Sequence, residues 1–262
     1  MAFTLATWNI NSVRLREGLV TRLLGQEAPD VLCLQEIKTP LDKFPAEGFA
    51  ALGYRHLVAR GQKGYNGVAI LSKLPIEDAG DSDYARLGHA RHVAARLENG
   101  VVIHNFYVPA GGDIPDRDQN VKFGQKLDFL TDMRDAFRAD RPARAILVGD
   151  LNIAPREDDV WNHKALLKIV SHTPVEVAHL ADAQDAGKWV DVTRADIPQG
   201  LLYSWWSYRA PDWDSADKGR RLDHVWATPD IAGAAHSSRI LRAARGWDQP
   251  SDHVPVFATF DL

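Results

Sequence analysis

The sequence predicts an α+β fold in which two packed β-sheets are flanked by helices, and three observations in the 262 residues carry that reading. Strand-like runs outnumber helical ones, several strands follow one another with only a turn between them, and no repeat, low-complexity tract or Ser/Gly linker divides the chain. A doubly wound parallel sheet would need a helix between successive strands, so it fits poorly. Residues 1–262 are read as one domain.

The elements follow in order. Phe3–Trp8 is the first strand-like run, and Leu15, Leu19 and Leu23 then recur every four residues, the spacing of one helical face. That helix precedes the apolar run Val31–Gln35. Gly67–Leu71, Val93–Leu97 and Val101–Val108 are further short runs, bounded by turn-forming residues. Leu127, Leu130, Met133 and Phe137 mark a second helical face before Ala145–Val148, and Leu222–Ala227 and Val254–Phe260 complete the predicted strands.

Composition narrows the function classes. A net charge of −4 argues, on charge alone, against a nucleic-acid partner. Acids gathered at one site are nevertheless compatible with a basic rim elsewhere. Cys33 is the only cysteine, so no internal disulfide forms, and its apolar surroundings suggest a small buried hydrophobe in a reducing compartment. With no basic n-region, long apolar segment or lipidation signal, the expected location is cytoplasmic, with no membrane partner.

The informative polar residues sit at strand ends. Asn9 closes the first predicted strand and Glu36 the second, Asp150 and Asn152 follow Ala145–Val148, and Asp223 and His253 open later strands. A single strand-end acid is usually a turn former or cap. A set of amides, carboxylates and an imidazole at one sheet rim instead suits metal-assisted hydrolysis. Oxygen donors from Glu36, Asp150, Asp252, Asn9 and Asn11 match a hard cation such as Mg²⁺ or Mn²⁺. Zinc is disfavoured, because no His-x-x-x-His or Cys-x-x-Cys pair exists and His56, His163 and His179 read as isolated. Asp150 and Asn152 face one side if strand geometry continues through Leu151. Asp223 and His253 suit a carboxylate that orients an imidazole.

Trp8-Asn9-Ile10-Asn11, Leu34-Gln35-Glu36-Ile37-Lys38, Gly149-Asp150-Leu151-Asn152-Ile153, Arg221-Leu222-Asp223 and Ser251-Asp252-His253 occur in this order. In these motifs the chain resembles the exonuclease III/AP endonuclease family of the endonuclease/exonuclease/phosphatase superfamily, along essentially its whole length. Gly61–Ala69, Phe106-Tyr107-Val108-Pro109 and Tyr203–Tyr208 look like the abasic-site nucleases rather than the phosphatases. The resemblance implies a four-layer α/β/β/α sandwich with the site at one end, and cleavage of double-stranded DNA at abasic sites and 3′ ends by a monomer. It also implies roles. Asn9, Asn11, Glu36 and Asp252 would be metal ligands or near-ligands, and Asp150 would activate or orient the water. Asn152 would hold a phosphate oxygen, with both it and Asp150 open to metal ligation. His253 would donate to the phosphate with Asp223 behind it, and Tyr107 would contact the phosphate or assist the leaving oxygen. Gln62 and Lys63 would lie on the DNA backbone, and Trp205 and Leu222, beside Arg220, would flank the flipped-out sugar.

Four departures bear on this. Ser12 stands where glycine is usual, with little consequence expected, and Pro109-Ala110-Gly111-Gly112-Asp113 lacks the basic residue that some relatives insert into DNA. Arg220 occupies a place that is apolar in several relatives. His224 replaces an apolar or aromatic neighbour of Asp223 and is expected to face solvent. If Trp206 faces the core, alternation turns Trp205 and Ser207 toward the site. Two rival functions remain: a small-molecule or lipid phosphodiesterase or phosphatase of the same superfamily, and a non-catalytic nucleic-acid-binding relative.

Overall fold

A computed structural model describes residues 2–210 and 212–262. In chain order its strands are β1 (Ala2–Asn9), β2 (Val31–Gln35), β3 (His56–Arg60), β4 (Val68–Ser72), β5 (Ile76–Gly80), β6 (His92–Leu97), β7 (Val102–Tyr107), β8 (Ala145–Asp150), β9 (Val190–Asp191), β10 (Asp223–Ala227), β11 (Ala235–Ile240) and β12 (Val256–Asp261). They form two six-stranded mixed sheets, ordered β11-β12-β1-β2-β4-β3 and β5-β6-β7-β8-β10-β9. Each sheet has a parallel pair at its centre, β1–β2 or β7–β8, and the helices Glu17–Gln26 and Val121–Ala139 lie between the two strands of these pairs in the chain.

Period-two alternation produces the layers. Phe3, Leu5, Val31, Cys33, Ile103, Ile146, Val148 and Val225 point between the sheets and share one apolar cluster. The opposite faces bury Ala6, Trp8, Leu32 and Leu34 with Leu23 and Leu24 of one helix, and Phe106 and Leu147 with Phe129, Met133 and Leu180 of two others. The order of layers is therefore helix, sheet, sheet, helix. Burying a single Leu or Phe in such a layer contributes about 1.5–3 kcal/mol. Among the described residues no helix is long and apolar enough to cross a membrane.

Strands β3, β5, β9 and β11, which the sequence pattern does not predict, are the four sheet edges. An edge strand has one neighbour and open surface, so apolar alternation is not required of it. Ile76–Gly80, for example, exposes Glu77, Asp78 and Ala79. The helix Pro174–Gly187 is also unpredicted, although a start signal is present: Thr173 and Glu176 form a capping box around Pro174. Two expectations are corrected. Leu15 precedes the first helix and is exposed, so only Leu19 and Leu23 of that spacing pack inward. His253 does not open a strand, because β12 begins at Val256 and His253 forms an isolated bridge with Trp205.

Candidate active site

The face that packs sheet against sheet ends in polar residues at one rim. On β1 the series Phe3, Leu5, Thr7 finishes at Asn9, and on β8 Ile146 and Val148 finish at Asp150. On β7 the same face ends at Tyr107, which pairs in register with Asp150, and Asp223 at the start of β10 also pairs with Asp150. Glu36 follows Gln35 and would point the other way, but its φ of 51° breaks the alternation. Gly149 makes the packing beside Asp150 possible, since a Cβ there would lie 1.9 Å from the Phe106 carbonyl oxygen.

The Ser251–His253 segment is fastened to these strand ends. Ser251 Oγ donates to the Asn9 carbonyl at 2.6 Å, Trp8 Nε1 donates to the His253 carbonyl at 2.9 Å, and the Trp206 amide donates to the Asp252 carbonyl at 2.9 Å. Two groups of side chains result. In the first, Asn9 Nδ2 and the Tyr107 hydroxyl each donate to Glu36 Oε1 at 2.8 Å, and Asp252 accepts from Asn11 Nδ2 at 3.2 Å and from Trp205 Nε1 at 3.0 Å. In the second, Asp150 Oδ2 accepts from Asn9 at 2.9 Å and from Asn152 Nδ2 at 3.1 Å, and His253 Nε2 lies 3.6 Å from it. His253 Nδ1 donates to Asp223 Oδ2 at 2.8 Å, and Ser204 Oγ donates to the same oxygen at 2.7 Å. Asn9 joins the groups.

Asp150 and Asn152 do meet, but not through continued strand geometry. The strand ends at Asp150, and Asn152 has φ 55°. Ser12 has φ 87°, a conformation that glycine adopts more readily, so serine is held there under strain.

Burial and charge push the two groups' acids apart. Burial alone would raise the Glu36 carboxyl, but the Lys38 charge and the hydrogen bonds from Asn9, Lys38 and Tyr107 hold it below the usual carboxylate range. Asp150 moves up: burial dominates, with Asp223 and Glu36 adding to it against the opposing pull of His253 and Asn9. Burial opposes the His253 imidazolium, yet Asp223 and Asp150 raise it well above an ordinary histidine. Burial, then the Glu36 charge, push the Tyr107 hydroxyl well up, so it stays a donor.

The donors on the Glu36 side fit a hard divalent cation. Glu36 Oε2 and Asn11 Oδ1 converge on one positive charge, the Lys38 ammonium, at 2.7 and 2.6 Å. Asp150, Asp223 and His253 also offer ligand atoms within 4.8 Å of one another. Because Asp223 Oδ2 is already shared by His253 and Ser204, and His253 Nε2 lies 3.6 Å from Asp150 Oδ2, this second set reads better as a charge-coupled row of side chains.

A cleft of about 740 Å³ is lined by Glu36, Asp150, Asn152, Asp252 and His253, and also by Trp205, Arg220 and Leu222. Trp206 packs with Tyr203, Ala244 and Val254, while Trp205 packs with Leu222. Arg220 is more committed than expected: it donates to the Val170 carbonyl at 2.9 Å and Ser171 Oγ at 2.6 Å, and its guanidinium lies 5.1 Å from the Trp205 ring centre. Lys63 and Gln62 are not among the residues lining the cleft; Lys63 is exposed, while Gln62 accepts from Asn66 and the Ala90 amide and braces its own loop.

Two histidine expectations are overturned. His224 is fully buried and donates to the Ile153 carbonyl at 2.8 Å, because its strand face is covered by packed side chains rather than solvent. His163 is not isolated, since its Nδ1 lies 2.8 Å from Nε2 of His172. Ser204, Lys38 and Arg91, whose guanidinium lies 4.5 Å from the Tyr107 ring centre, were not assigned roles from the sequence. Ser204 had the best available signal, its place beside Trp205.

Comparison with known proteins bears on the fold and family. The endonuclease/exonuclease/phosphatase family matches residues 6–253. The chain is 30% identical to exodeoxyribonuclease III of Haemophilus influenzae, over 97% of this chain and 98% of that protein. An AP endonuclease structure from Archaeoglobus fulgidus superposes with a TM-score of 0.92 at 32% identity, covering 99% of this chain and 100% of the other. A Neisseria 3′ phosphatase bound to product DNA hairpin gives 0.90 at 32% identity, with the same coverage. The chain belongs to the endonuclease/exonuclease/phosphatase family, in its exonuclease III/AP endonuclease branch.

Proposed function

We propose that this chain is a DNA-repair nuclease that hydrolyses phosphodiesters at abasic sites and removes nucleotides or phosphate from 3′ ends, with Mg²⁺ or Mn²⁺ bound at Glu36. The observation that carries the reading is the contact of Asp150 with Asn9, Asn152 and the His253–Asp223 pair, beside the Glu36 oxygens in one cleft. A rival that only binds nucleic acid gives no reason for this arrangement.

Glu36, with Asn11 and with Asp252 behind it, would hold the cation. When bound, a divalent cation screens the phosphate charge and polarises its P–O bonds. Asp150 Oδ2 accepts two amide hydrogens and faces the cleft, so it takes the proton of the attacking water. Protonated His253 donates from Nε2 to a phosphate oxygen, and Asp223 fixes its tautomer through Nδ1. Asn152 holds Asp150 in place, with its two amide hydrogens on Asp150 Oδ2 and the Val108 carbonyl. Tyr107, held as a phenol, would turn its one hydroxyl hydrogen from Glu36 toward the leaving oxygen. Trp205 and Leu222 form an apolar wall that accepts a sugar lacking its base.

The test is a labelled duplex with one abasic site, incubated with Mg²⁺, with Mn²⁺ and with chelator. Cleavage at the lesion that chelator abolishes is expected. Full cleavage in chelator, or better turnover of a small phosphoester than of the duplex, would overturn the assignment.

A further inference from the structure

Lys126, on the helix Val121–Ala139, is completely buried and unused by the chemistry above. Its ammonium pairs with Glu176, also completely buried, on the helix Pro174–Gly187. Lys126 Nζ also donates to the Asn152 carbonyl at 2.8 Å and the Ala110 carbonyl at 3.3 Å. Glu176 in turn accepts from the Ser171 amide at 2.9 Å and Thr173 Oγ1 at 2.6 Å. The Ser171 carbonyl accepts from the Ala154 amide at 2.8 Å, and its hydroxyl holds Arg220. One ion pair thus ties together the segments that follow β7 and β8 and the segment carrying Ser171, all of which line the cleft.

Two features separate this pair from ordinary core packing. A buried ion pair is costly to desolvate, and apolar residues of similar volume would stabilise the fold about as well. The Lys126 side chain is also closely fitted: a Cβ on Gly111, at φ 88°, would lie 3.0 Å from Lys126 Cδ. The carbonyl it grips belongs to the residue whose left-handed φ of 55° aims Nδ2 at Asp150 and the Val108 carbonyl. Released from Lys126, that peptide relaxes toward ordinary dihedrals and the amide swings away.

We propose that Lys126 and Glu176 form a positioning pair for the hydrolysis proposed above, acting through the Asn152 backbone to hold its side-chain amide against Asp150. The pair does not touch substrate. The inference rests on that functional reading, and the experiment separates the two.

The double variant Lys126→Met/Glu176→Gln removes the charges while keeping volume and the acceptor for Ser171. Its turnover is measured with and without Asn152→Ala, on the abasic duplex and on a small chromogenic phosphodiester. We expect kcat to fall about ten-fold or more with KM within three-fold, and to fall no further when the pair is removed from the Asn152→Ala protein. Losses that multiply across the cycle would overturn the positioning role and leave the hydrolase reading intact. Absence of turnover by the unmodified protein on both substrates would overturn that reading, and the proposal with it. If the double variant does not fold, as judged by its melting curve, Glu176→Gln alone loosens the ammonium and enters the same cycle, where multiplying losses again overturn the proposal.

Discussion

The two sheets bring opposite chemistry to one rim. The β1–β2 end presents Glu36, kept ionised by Lys38, and the Asn11 amide oxygen converges on the same positive charge. The β8–β10 end presents Asp150 and Asp223, deeply buried and met by His253 from the segment before β12, which hydrogen-bonds Asp223 and lies 3.6 Å from Asp150, and Asp150 is pushed toward its neutral form. Two carboxylates bridged by one asparagine therefore differ because one has a cation beside it and the other has burial and like charges. Such a split divides cation holding from proton handling. A bound divalent cation would sharpen it by drawing Asp150 back toward the ionised form needed of a base.

The largest test of this division is Asp150→Asn, which keeps shape and removes the proton acceptor. Single-turnover cleavage should fall by about 10³-fold or more while binding to an abasic duplex, followed by anisotropy, changes little. Near-normal cleavage would reduce Asp150 to a structural role. On the other side, Glu36→Gln should lower activity about 100-fold at limiting metal and recover partly as Mg²⁺ or Mn²⁺ is raised. A metal titration with an unchanged midpoint would erase the distinction between the two ends.

The sheets also differ in how they meet acid. His92 and His224 are buried in β6 and β10 and His104 is half-buried in β7, and desolvation holds each imidazole low, His104 and His224 at about 4. Because the unfolded chain binds protons more readily near pH 6.5, the stability from these neutral histidines is present above that pH. It is lost as pH falls toward 4, by up to about 3 kcal/mol for His224. The first sheet has no buried histidine among its described strands, where His56 is half-buried and His236 exposed. Hydrogen exchange across pH 6.5 to 4 should show β6, β7 and β10 losing protection before β1 and β2, and simultaneous loss would contradict this account. The smallest effect is expected where the halves touch through Trp205. Trp205→Phe removes one hydrogen bond to Asp252 and keeps an apolar wall, so abasic cleavage should fall only a few-fold, about 1 kcal/mol. Trp205→Ala should reduce abasic preference more than it reduces 3′-phosphate removal, and equal losses on both would make Trp205 a packing residue alone.

What was legible in the sequence follows from which residues have neighbours on both sides. All the predicted strands lie inside the sheets, where alternating apolar side chains must fill layers above and below, and their polar ends mark the site. Asn9, Glu36, Asp150 and Asp223 therefore stand out by position and residue type as site candidates, whereas His253, read from the sequence as a strand start, lies before β12. Only the tertiary structure decided the rest. It buried His224, paired His163 with His172, pinned Arg220 to Ser171, and placed the Lys126–Glu176 pair behind Asn152. It also set Glu36 and Asp150 on opposite sides of the ordinary carboxylate range. Residue type and strand period are local properties of a chain. Desolvation, charge proximity and hydrogen-bond partnership depend on which distant segments arrive at the same place, as Asp150 does at Asn9 from 141 residues away.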